Sequence, residues 1–314
     1  MSRLRFPRLI RPSTRAFWEE GRRTSGYSLF DFLHGYVYGR WPYLYIGIAT
    51  GEHWIARRLA PLVRRVGDLL TRQAQRHAAP AGSPGFAHTY HGKVVPPAAA
   101  RQLIMVQQEV NLPALEHIIP YAMARDIVLK NPDHIAVLDC PCRVSRPNPC
   151  LPLDVCLIVG EPFASFVVEH HPRRARFISR QEAEDILEAE HARGHVHHAF
   201  FKDAMLGRFY AICNCCSCCC GAMQAARAGV PMLASSGYVA RQRAEEECAG
   251  CGECAAVCPF QAIEMRDGRA WVMEERCMGC GVCVGRCPSH ILRLEREPAK
   301  GEPLEILSLL SDGR

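Results

Sequence analysis

The sequence predicts an α+β protein in three parts, and two observations support this prediction. All 18 cysteines lie between Cys140 and Cys287. Near the C-terminal end, residues 248–265 align with residues 277–294, and each copy is a cysteine run, a proline and a short apolar segment. We therefore expect an N-terminal helical and aromatic region with a linker at 1–85, a cysteine-rich mixed α/β domain at 86–240, and a pseudo-twofold domain at 241–314.

Size and composition are those of a globular protein. The 314 residues are 48% hydrophobic, which is enough to bury a core in one large or several modest domains. The net charge of +6 does not by itself imply a nucleic-acid partner. The cysteines are clustered too tightly to bridge one another easily, which indicates metal ligands rather than disulfides. Because an apolar run of signal-peptide length does not follow the basic N-terminus, we expect a reducing compartment and a cytoplasmic location. A transit peptide at Met1 to Thr24 is the alternative.

The N-terminal region shows one helical pattern and one linker pattern. Apolar residues recur at helical spacing between His53 and Arg76, which predicts a helix that packs on the rest of the protein. A membrane-surface helix is the alternative. Residues 78–85 are rich in proline and glycine, as a linker is. The longest aromatic and apolar stretch, Trp41 to Gly51, is about half of the ~20 residues that a spanning helix needs, so no transmembrane segment is expected.

The middle region mixes helix and strand patterns. We expect a helix that starts near Leu103 and continues through Tyr121 to Lys130, followed by a short strand at Ile135–Leu138. Ser179 and Glu182 form a capping-box pattern that begins a helix, and Gly194 stands where that helix would end. Phe209–Ile212 predicts a strand, and Ala222–Ala228 predicts a helix.

The two C-terminal repeats carry identical cysteine spacing. They read Cys248-x-x-Cys251-x-x-Cys254-x-x-x-Cys258-Pro259 and Cys277-x-x-Cys280-x-x-Cys283-x-x-x-Cys287-Pro288. Three thiolates two residues apart can wrap a short loop around one cubane cluster, while the fourth ligand comes from elsewhere. Four glycines permit tight loops: Gly250, Gly252, Gly279 and Gly281. Between the repeats, Asp267-Gly268 predicts a hairpin turn. Structural zinc sites usually pair two short knuckles instead, which disfavours zinc in these repeats.

These repeats resemble the two-cluster bacterial-type ferredoxins, over residues 247–294. The resemblance implies two 4Fe-4S clusters that pass single electrons, with the last cysteine of each run binding the cluster of the other run. The ligands of one cluster would be Cys248, Cys251, Cys254 and Cys287. Those of the other would be Cys277, Cys280, Cys283 and Cys258. The implied partner is a redox protein that acts as donor or acceptor.

Ten further cysteines lie upstream, and we expect them to form an additional metal site. They are Cys140, Cys142, Cys150, Cys156, Cys213, Cys215, Cys216, Cys218, Cys219 and Cys220. With the segments 118–121, 154–157 and 194–197, they resemble a group of larger ferredoxin-related iron-sulfur proteins, over residues 102–294. A third iron-sulfur cluster is the favoured interpretation, with zinc or reversible disulfide chemistry as alternatives. Ten thiols are too many for one cubane, and adjacent cysteines such as Cys215 and Cys216 point apart in an extended chain.

Other polar residues have weaker functional interpretations. His195, His197 and His198 could bind metal or move protons, but a partly exposed strand is the favoured interpretation. Arg143 could bind an anion or donate to cluster sulfides, or it could be a packing residue. The acidic residues on the helix after Ser179 read as a solvated face: Glu182, Glu184, Asp185, Glu188 and Glu190. A phosphate loop, a dinucleotide fingerprint and a haem motif are all absent from the sequence, so a flavin or nicotinamide enzyme is not supported.

Together these patterns predict an iron-sulfur electron-transfer protein. It would carry two 4Fe-4S clusters in the C-terminal module and a further cluster upstream. The alternative is a redox enzyme whose upstream metal site binds a substrate and is supplied with electrons by the C-terminal module. A redox sensor is ranked last, because a DNA-binding motif is absent from the sequence.

Overall fold

The computed structural model describes residues 10–58, 90–113, 115, 117–119, 126–243 and 247–312. Helices and sheets are mixed throughout this part, so the predicted α+β class is confirmed. The helix expected from His53 is visible at residues 54–58, and its remainder lies outside the described residues, as does the expected linker at 78–85. Within the described residues, every helix is too short or too polar to cross a bilayer.

Three helices form the N-terminal region: α1 (Pro12–Arg23), α2 (Leu29–Arg40) and α3 (Pro42–Ala49). Ser28 caps α2, because its hydroxyl accepts a hydrogen bond from the Asp31 amide while the Asp31 carboxylate accepts one from the Ser28 amide. Phe17 of α1 is fully buried, with its ring centroid 5.6 Å from that of Phe163 and 5.7 Å from that of Phe166. Aromatic packing therefore holds these helices against the central part of the chain.

The central sheet has eight strands in the described part of the chain, in the order β2-β3-β4-β7-β6-β1-β8, with β5 beside β3. All neighbours are antiparallel except β1 and β8, which are parallel. The strands are β1 (Tyr90–Val94), β2 (Val110–Leu112), β3 (Ile127–Asp139), β4 (Asp154–Glu161), β5 (Ala175–Ile178), β6 (Val196–Lys202), β7 (Arg208–Cys215) and β8 (Leu233–Ala234).

Helices cover both faces of this sheet. They are α4 (Pro97–Met105), α5 (Pro141–Val144), α6 (Phe163–His170), α7 (Arg180–Ala192) and α8 (Gly221–Arg227). One face packs on α4 and α7 through aliphatic residues such as Leu103, Leu187 and Ile212. The other face packs on α1 and α6 and carries cysteines, among them Cys156. Because side chains alternate along a strand, Cys156 lies on this face while Leu157 lies on the aliphatic one.

The helix expected through Tyr121 to Lys130 is wrong over its described part. Residues 127–130 belong to β3, where Ile127 and Leu129 are buried and pair with β2. The β-branched residues at the start of β3 suit a pleated surface, and the partner strand supplies the hydrogen bonds that a helix would have made internally. The other middle-region predictions hold: the strands at Ile135–Leu138 and Phe209–Ile212, the helix at 222–228, and α7, which Ser179 caps.

The C-terminal part contains two copies of a loop, a short helix and a strand. The first copy holds α9 (Glu253–Val257) and β10 (Ile263–Arg266), and the second holds α10 (Val282–Arg286) and β12 (Leu292–Arg296). Between them, Asp267 and Gly268 have φ of 48° and 74° and join β10 to β11 (Arg269–Val272), as the hairpin prediction requires. Strand β12 pairs with β9 (Tyr238–Gln242). The chain ends in α11 (Ile306–Asp312).

Candidate metal centres: three groups of cysteine thiols

The eight cysteines of the two repeats surround two cavities, with four thiols at each. Cys248, Cys251, Cys254 and Cys287 line the first cavity. Cys258, Cys277, Cys280 and Cys283 line the second. Each cavity thus receives three thiols from one repeat and one from the other. The donor set at each cavity has the chemistry of the all-cysteine ligand set that 4Fe-4S clusters use.

Local backbone geometry produces this crossing. Gly252 and Gly281 have φ of 75° and 81° and precede α9 and α10, so each loop turns sharply into its short helix. Cys258 and Cys287 follow those helices in extended conformation, and a proline comes next in both copies. The last cysteine of each run is thereby directed away from its own loop and towards the other cavity.

Backbone amides donate to two of these sulfurs. The amide of Ala262 donates to Cys258 Sγ at 3.2 Å, and the amide of Ala240 in β9 donates to Cys277 Sγ at 3.5 Å. Burial raises the pKa of the Cys280 thiol to about 12, so a thiolate there needs a nearby positive charge. Cys251 is exposed, whereas Cys277, Cys280 and Cys283 are buried. The one exposed thiol of these eight therefore belongs to the first cavity.

Six of the upstream cysteines form a second arrangement, the six-thiol chamber. A cavity of about 150 Å³ is lined by Cys140, Cys142, Cys156, Cys213, Cys215 and Cys220. Cys216 borders the same cavity and also belongs to the next group. The sheet register places Cys156 of β4 directly opposite Cys213 of β7, and Cys215 lies two residues further along the same face. Cys140 and Cys220 are the residues that immediately precede α5 and α8. The Cys220 thiol lies 3.2 Å from Cys215 Sγ.

Hydrogen bonds between thiols and burial favour the protonated form of two chamber cysteines, Cys140 and Cys156. The hydrogen bond with Cys142, together with burial, raises the pKa of Cys140 to about 12. Cys156 is raised well above its ordinary pKa by its hydrogen bonds with Cys140 and Cys213 and by burial. Metal binding here would require these thiols to release protons, which a cationic centre makes favourable.

The remaining four upstream cysteines form the four-thiol cluster: Cys150, Cys216, Cys218 and Cys219. All four Sγ atoms lie within 4.8 Å of one another. Cys150 Sγ is 2.9 Å from Cys218 Sγ, and Cys218 Sγ is 3.7 Å from Cys219 Sγ. Cys216 borders the chamber as well as the cluster, whereas Cys150, Cys218 and Cys219 do not line the chamber. The expected divergence of adjacent cysteines is therefore not general, because the neighbours Cys218 and Cys219 share one cluster.

Side chains hold the carbonyl groups of the loop that carries the cluster. Arg146 donates to the Cys219 carbonyl at 3.3 Å, and Gln224 donates to the Cys218 carbonyl at 2.8 Å. Arg227 donates to the carbonyls of Ser217 and Pro259, each at 2.9 Å. Arg227 therefore connects this loop to the residue that follows Cys258 in the C-terminal part.

Arg143 is fully buried beside the chamber. Its guanidinium pairs with Glu190 and donates to the carbonyls of Pro152 and Asn214. Although burial opposes it, hydrogen bonding from His195 and the charge of Arg143 lower the pKa of Glu190. These contacts give Arg143 a packing role, while its Nε has no hydrogen-bond partner among the described residues, so donation to a cluster stays a prediction.

The prediction of a solvated face on α7 is wrong for Glu184 and Glu190, which are 8% and 1% exposed. Ala183, Leu187 and Glu190 share one helical stripe against the sheet. Their spacing of four and three residues was the available sequence signal that Glu190 points inwards.

The prediction of partly exposed histidines is also wrong for His197 and His198, which are buried. Their strand, β6, lies between β7 and β1 in the interior of the sheet. His197 Nδ1 is 2.6 Å from the Asn214 side-chain oxygen, and His198 is the direct cross-strand neighbour of Cys213. Burial lowers the pKa of His197 to about 4 and that of His198 to about 3, so both rings are neutral at physiological pH.

Comparisons with known proteins identify one segment of the chain. Residues 247–292 match the family described as a 4Fe-4S dicluster domain. Comparisons with curated proteins and with solved structures found no match. The matched segment contains all eight cysteines that line the two C-terminal cavities, so an iron-sulfur electron-transfer role is supported for this part.

Proposed function

We propose that this chain is an electron-transfer protein in which the eight C-terminal cysteines bind two 4Fe-4S clusters and the six-thiol chamber binds a further cluster. The observation that carries the proposal is the sorting of the eight thiols into two crossed sets of four. When bound, such clusters supply single-electron exchange. The protein supplies the thiolates, the amide donors and the exclusion of water.

In this proposal the two C-terminal sets have different roles. Cys251 is exposed, which gives the first set access to a redox partner at the surface. Three thiols of the second set are buried, those of Cys277, Cys280 and Cys283. Cys280 and Val282 belong to the same hydrophobic core as Cys140, Cys156 and Cys215 of the chamber. Shared packing between the second set and the chamber suits electron exchange between them.

The cysteines are gathered as ligand sets rather than paired in disulfides, which supports a reducing, cytoplasmic location.

The proposal is tested by counting iron and acid-labile sulfide in protein reconstituted without oxygen. We expect about twelve irons per chain, about eight of them from the C-terminal module. Cys280→Ser should reduce the signal of one C-terminal cluster in electron paramagnetic resonance spectra of the reduced protein. Cys142→Ser should remove the upstream cluster and leave the C-terminal signals intact.

The iron count tests the two C-terminal clusters and the upstream cluster separately. Fewer than about eight irons in the wild-type chain would refute the two-cluster assignment. A count of about eight that Cys142→Ser leaves unchanged would refute the upstream cluster and retain the C-terminal ones.

A redox enzyme is the second candidate function, and one observation favours it. The chamber offers six thiols where a cubane needs four, and its cavity is also lined by Tyr38 and Thr50. A cluster with an open coordination position beside this space could bind a small molecule. Carbon monoxide and cyanide are suitable probes: a spectral change in the reduced wild-type protein that is absent from Cys142→Ser would support the enzyme. Unchanged spectra with both probes would favour the electron carrier.

A further inference from the structure

We propose that the four-thiol cluster binds one Zn²⁺ ion in a closed tetrahedral site that is separate from the six-thiol chamber. Its ligands would be Cys150, Cys216, Cys218 and Cys219. The inference does not depend on how the C-terminal cavities are occupied, because none of these four thiols lines either of them. Cys216 also borders the chamber, so the test compares variants of both groups.

The spacing of the four sulfurs favours a single ion. A tetrahedral zinc ion with Zn–S bonds of ~2.3 Å holds its ligand sulfurs ~3.8 Å apart. The Sγ atoms of the cluster all lie within 4.8 Å of one another, and the pair Cys218 and Cys219 is 3.7 Å apart. A cubane separates its ligand sulfurs further, because four irons and four sulfides lie between them. The cluster therefore needs little movement to close on one ion.

The positions of the sulfurs group the four thiols as one ligand set. Cys215 and Cys220 flank the cluster residues in sequence and line the chamber. The Sγ atoms of Cys216 and Cys219 lie beside those of Cys150 and Cys218 instead, although Cys216 also borders the chamber. Four thiolates complete a tetrahedral shell and leave no open position, which is the arrangement of structural zinc sites.

The surroundings suit the charge of such a site. Four thiols that bind Zn²⁺ release four protons to solvent and leave a net charge of −2, with no change in oxidation state. The guanidinium of Arg227 lies at the Ser217 carbonyl and that of Arg146 at the Cys219 carbonyl. Arg146 also pairs with Glu52, so Arg227 is the less compensated of the two cations. Their hydrogen bonds to the loop carbonyls also fix the loop, as outer contacts of metal sites commonly do.

The zinc site would stabilise the wall of the chamber. Zinc would join the segment at Cys150 to the loop at 216–219, and the two residues that flank this loop, Cys215 and Cys220, line the chamber. The ion would hold these two chamber thiols in place without taking part in electron transfer, because Zn²⁺ has no accessible redox change.

The experiment uses the full chain, loaded with iron and sulfide without oxygen in the presence of zinc. We expect one zinc per chain, and X-ray absorption at the zinc edge should show four sulfurs at ~2.3 Å. Cys150→Ser should lose most of the zinc and keep the iron content of the wild type. The matched control is Cys142→Ser in the chamber, which should keep the zinc. Cys218→Ser is a second test variant, because its side chain is exposed and its loss leaves the core intact.

Several results would overturn the inference. Zinc bound by fewer than four sulfurs in the wild-type chain would contradict the closed site, even if every variant failed to fold. Loss of iron rather than zinc in Cys150→Ser would assign the four thiols to an iron centre. A zinc-free wild-type chain with a Cys150–Cys218 disulfide would assign them to thiol chemistry, since these sulfurs already lie 2.9 Å apart.

Discussion

Replacing Gly279 with alanine should destabilise the second ligand loop more than the same replacement at Gly281, two residues away. Both glycines have positive φ, 64° and 81°, so each alanine variant carries the left-handed penalty of ~1–2 kcal/mol. The difference lies in the space available. A Cβ on Gly279 would lie 2.2 Å from both Ser236 Oγ and the Tyr238 carbonyl oxygen. A Cβ on Gly281 would meet Leu294 Cδ1 at 3.4 Å, which is nearly ordinary contact.

The overlap at Gly279 involves backbone, so a side-chain rotation cannot relieve it. The segment at Ser236–Tyr238 must move, and this segment leads into β9, whose Ala240 amide donates to Cys277 Sγ. Overpacking of this kind adds ~1–3 kcal/mol. We therefore expect a loss of ~2–5 kcal/mol for Gly279→Ala and ~1–2 kcal/mol for Gly281→Ala.

The assay is urea unfolding without oxygen, followed by the visible absorption of the clusters and by far-UV circular dichroism. Gly279→Ala should have the lower midpoint and less bound iron. The first repeat offers an independent pair, since a Cβ on Gly250 would lie 2.5 Å from the Gly268 carbonyl oxygen and one on Gly252 only 3.9 Å from Met265. Equal urea midpoints for the two alanine variants of each pair would refute the inference that the close contacts of Gly279 and Gly250 cause the larger loss of stability.

Three further predictions concern the upstream region. Glu190→Gln leaves the Arg143 guanidinium buried without its carboxylate and should cost ~3–5 kcal/mol in urea unfolding; a loss below ~1 kcal/mol would contradict a stabilising pair. Burial lowers the pKa of Lys202 to about 8. Between about pH 8 and ~10.4 the folded protein therefore binds fewer protons at this residue than the unfolded protein does. Lys93 has a similarly lowered pKa and several cysteines have raised ones, so the effect of Lys202 is measured as the difference between wild type and Lys202→Met. The variant should be more stable by ~1–3 kcal/mol at pH 7, and this advantage should shrink as the pH rises to ~10.4. Thermal unfolding against pH measures this difference, and an advantage that does not change with pH would contradict the reasoning. Ser179→Ala removes the cap of α7 and should cost ~0.5–2 kcal/mol, which an unchanged thermal midpoint would exclude.

Features that depend on neighbouring residues could be predicted from the sequence. The cap at Ser179, the hairpin turn at Asp267-Gly268 and the positive φ of the four loop glycines each depend on a few consecutive residues. The expectation of crossed cysteine sets came instead from the resemblance of the repeats to two-cluster ferredoxins, in which the last cysteine of each run binds the other cluster.

The division of the upstream cysteines into six and four could not be predicted in this way. It depends on the register that sets Cys156 opposite Cys213, and on the approach of Cys150 to Cys218, 68 residues later in the chain. The burial of His198 is equally non-local, because it results from the position of β6 between two other strands. The error at residues 127–130 has the same origin, since pairing with β2 overrides the local helical pattern.

The attachment of the C-terminal part at both of its ends limits how it could be exchanged between proteins. On one side, β9 precedes the matched segment, pairs with β12 and donates an amide to Cys277. On the other, Leu304 and Ile306 follow the matched segment and are buried in the aliphatic core beneath the central sheet. A transplant of residues 247–292 alone would leave both attachments behind. Recombination that preserves function would therefore have to carry flanking sequence on each side, which ties the evolution of this module to that of its host.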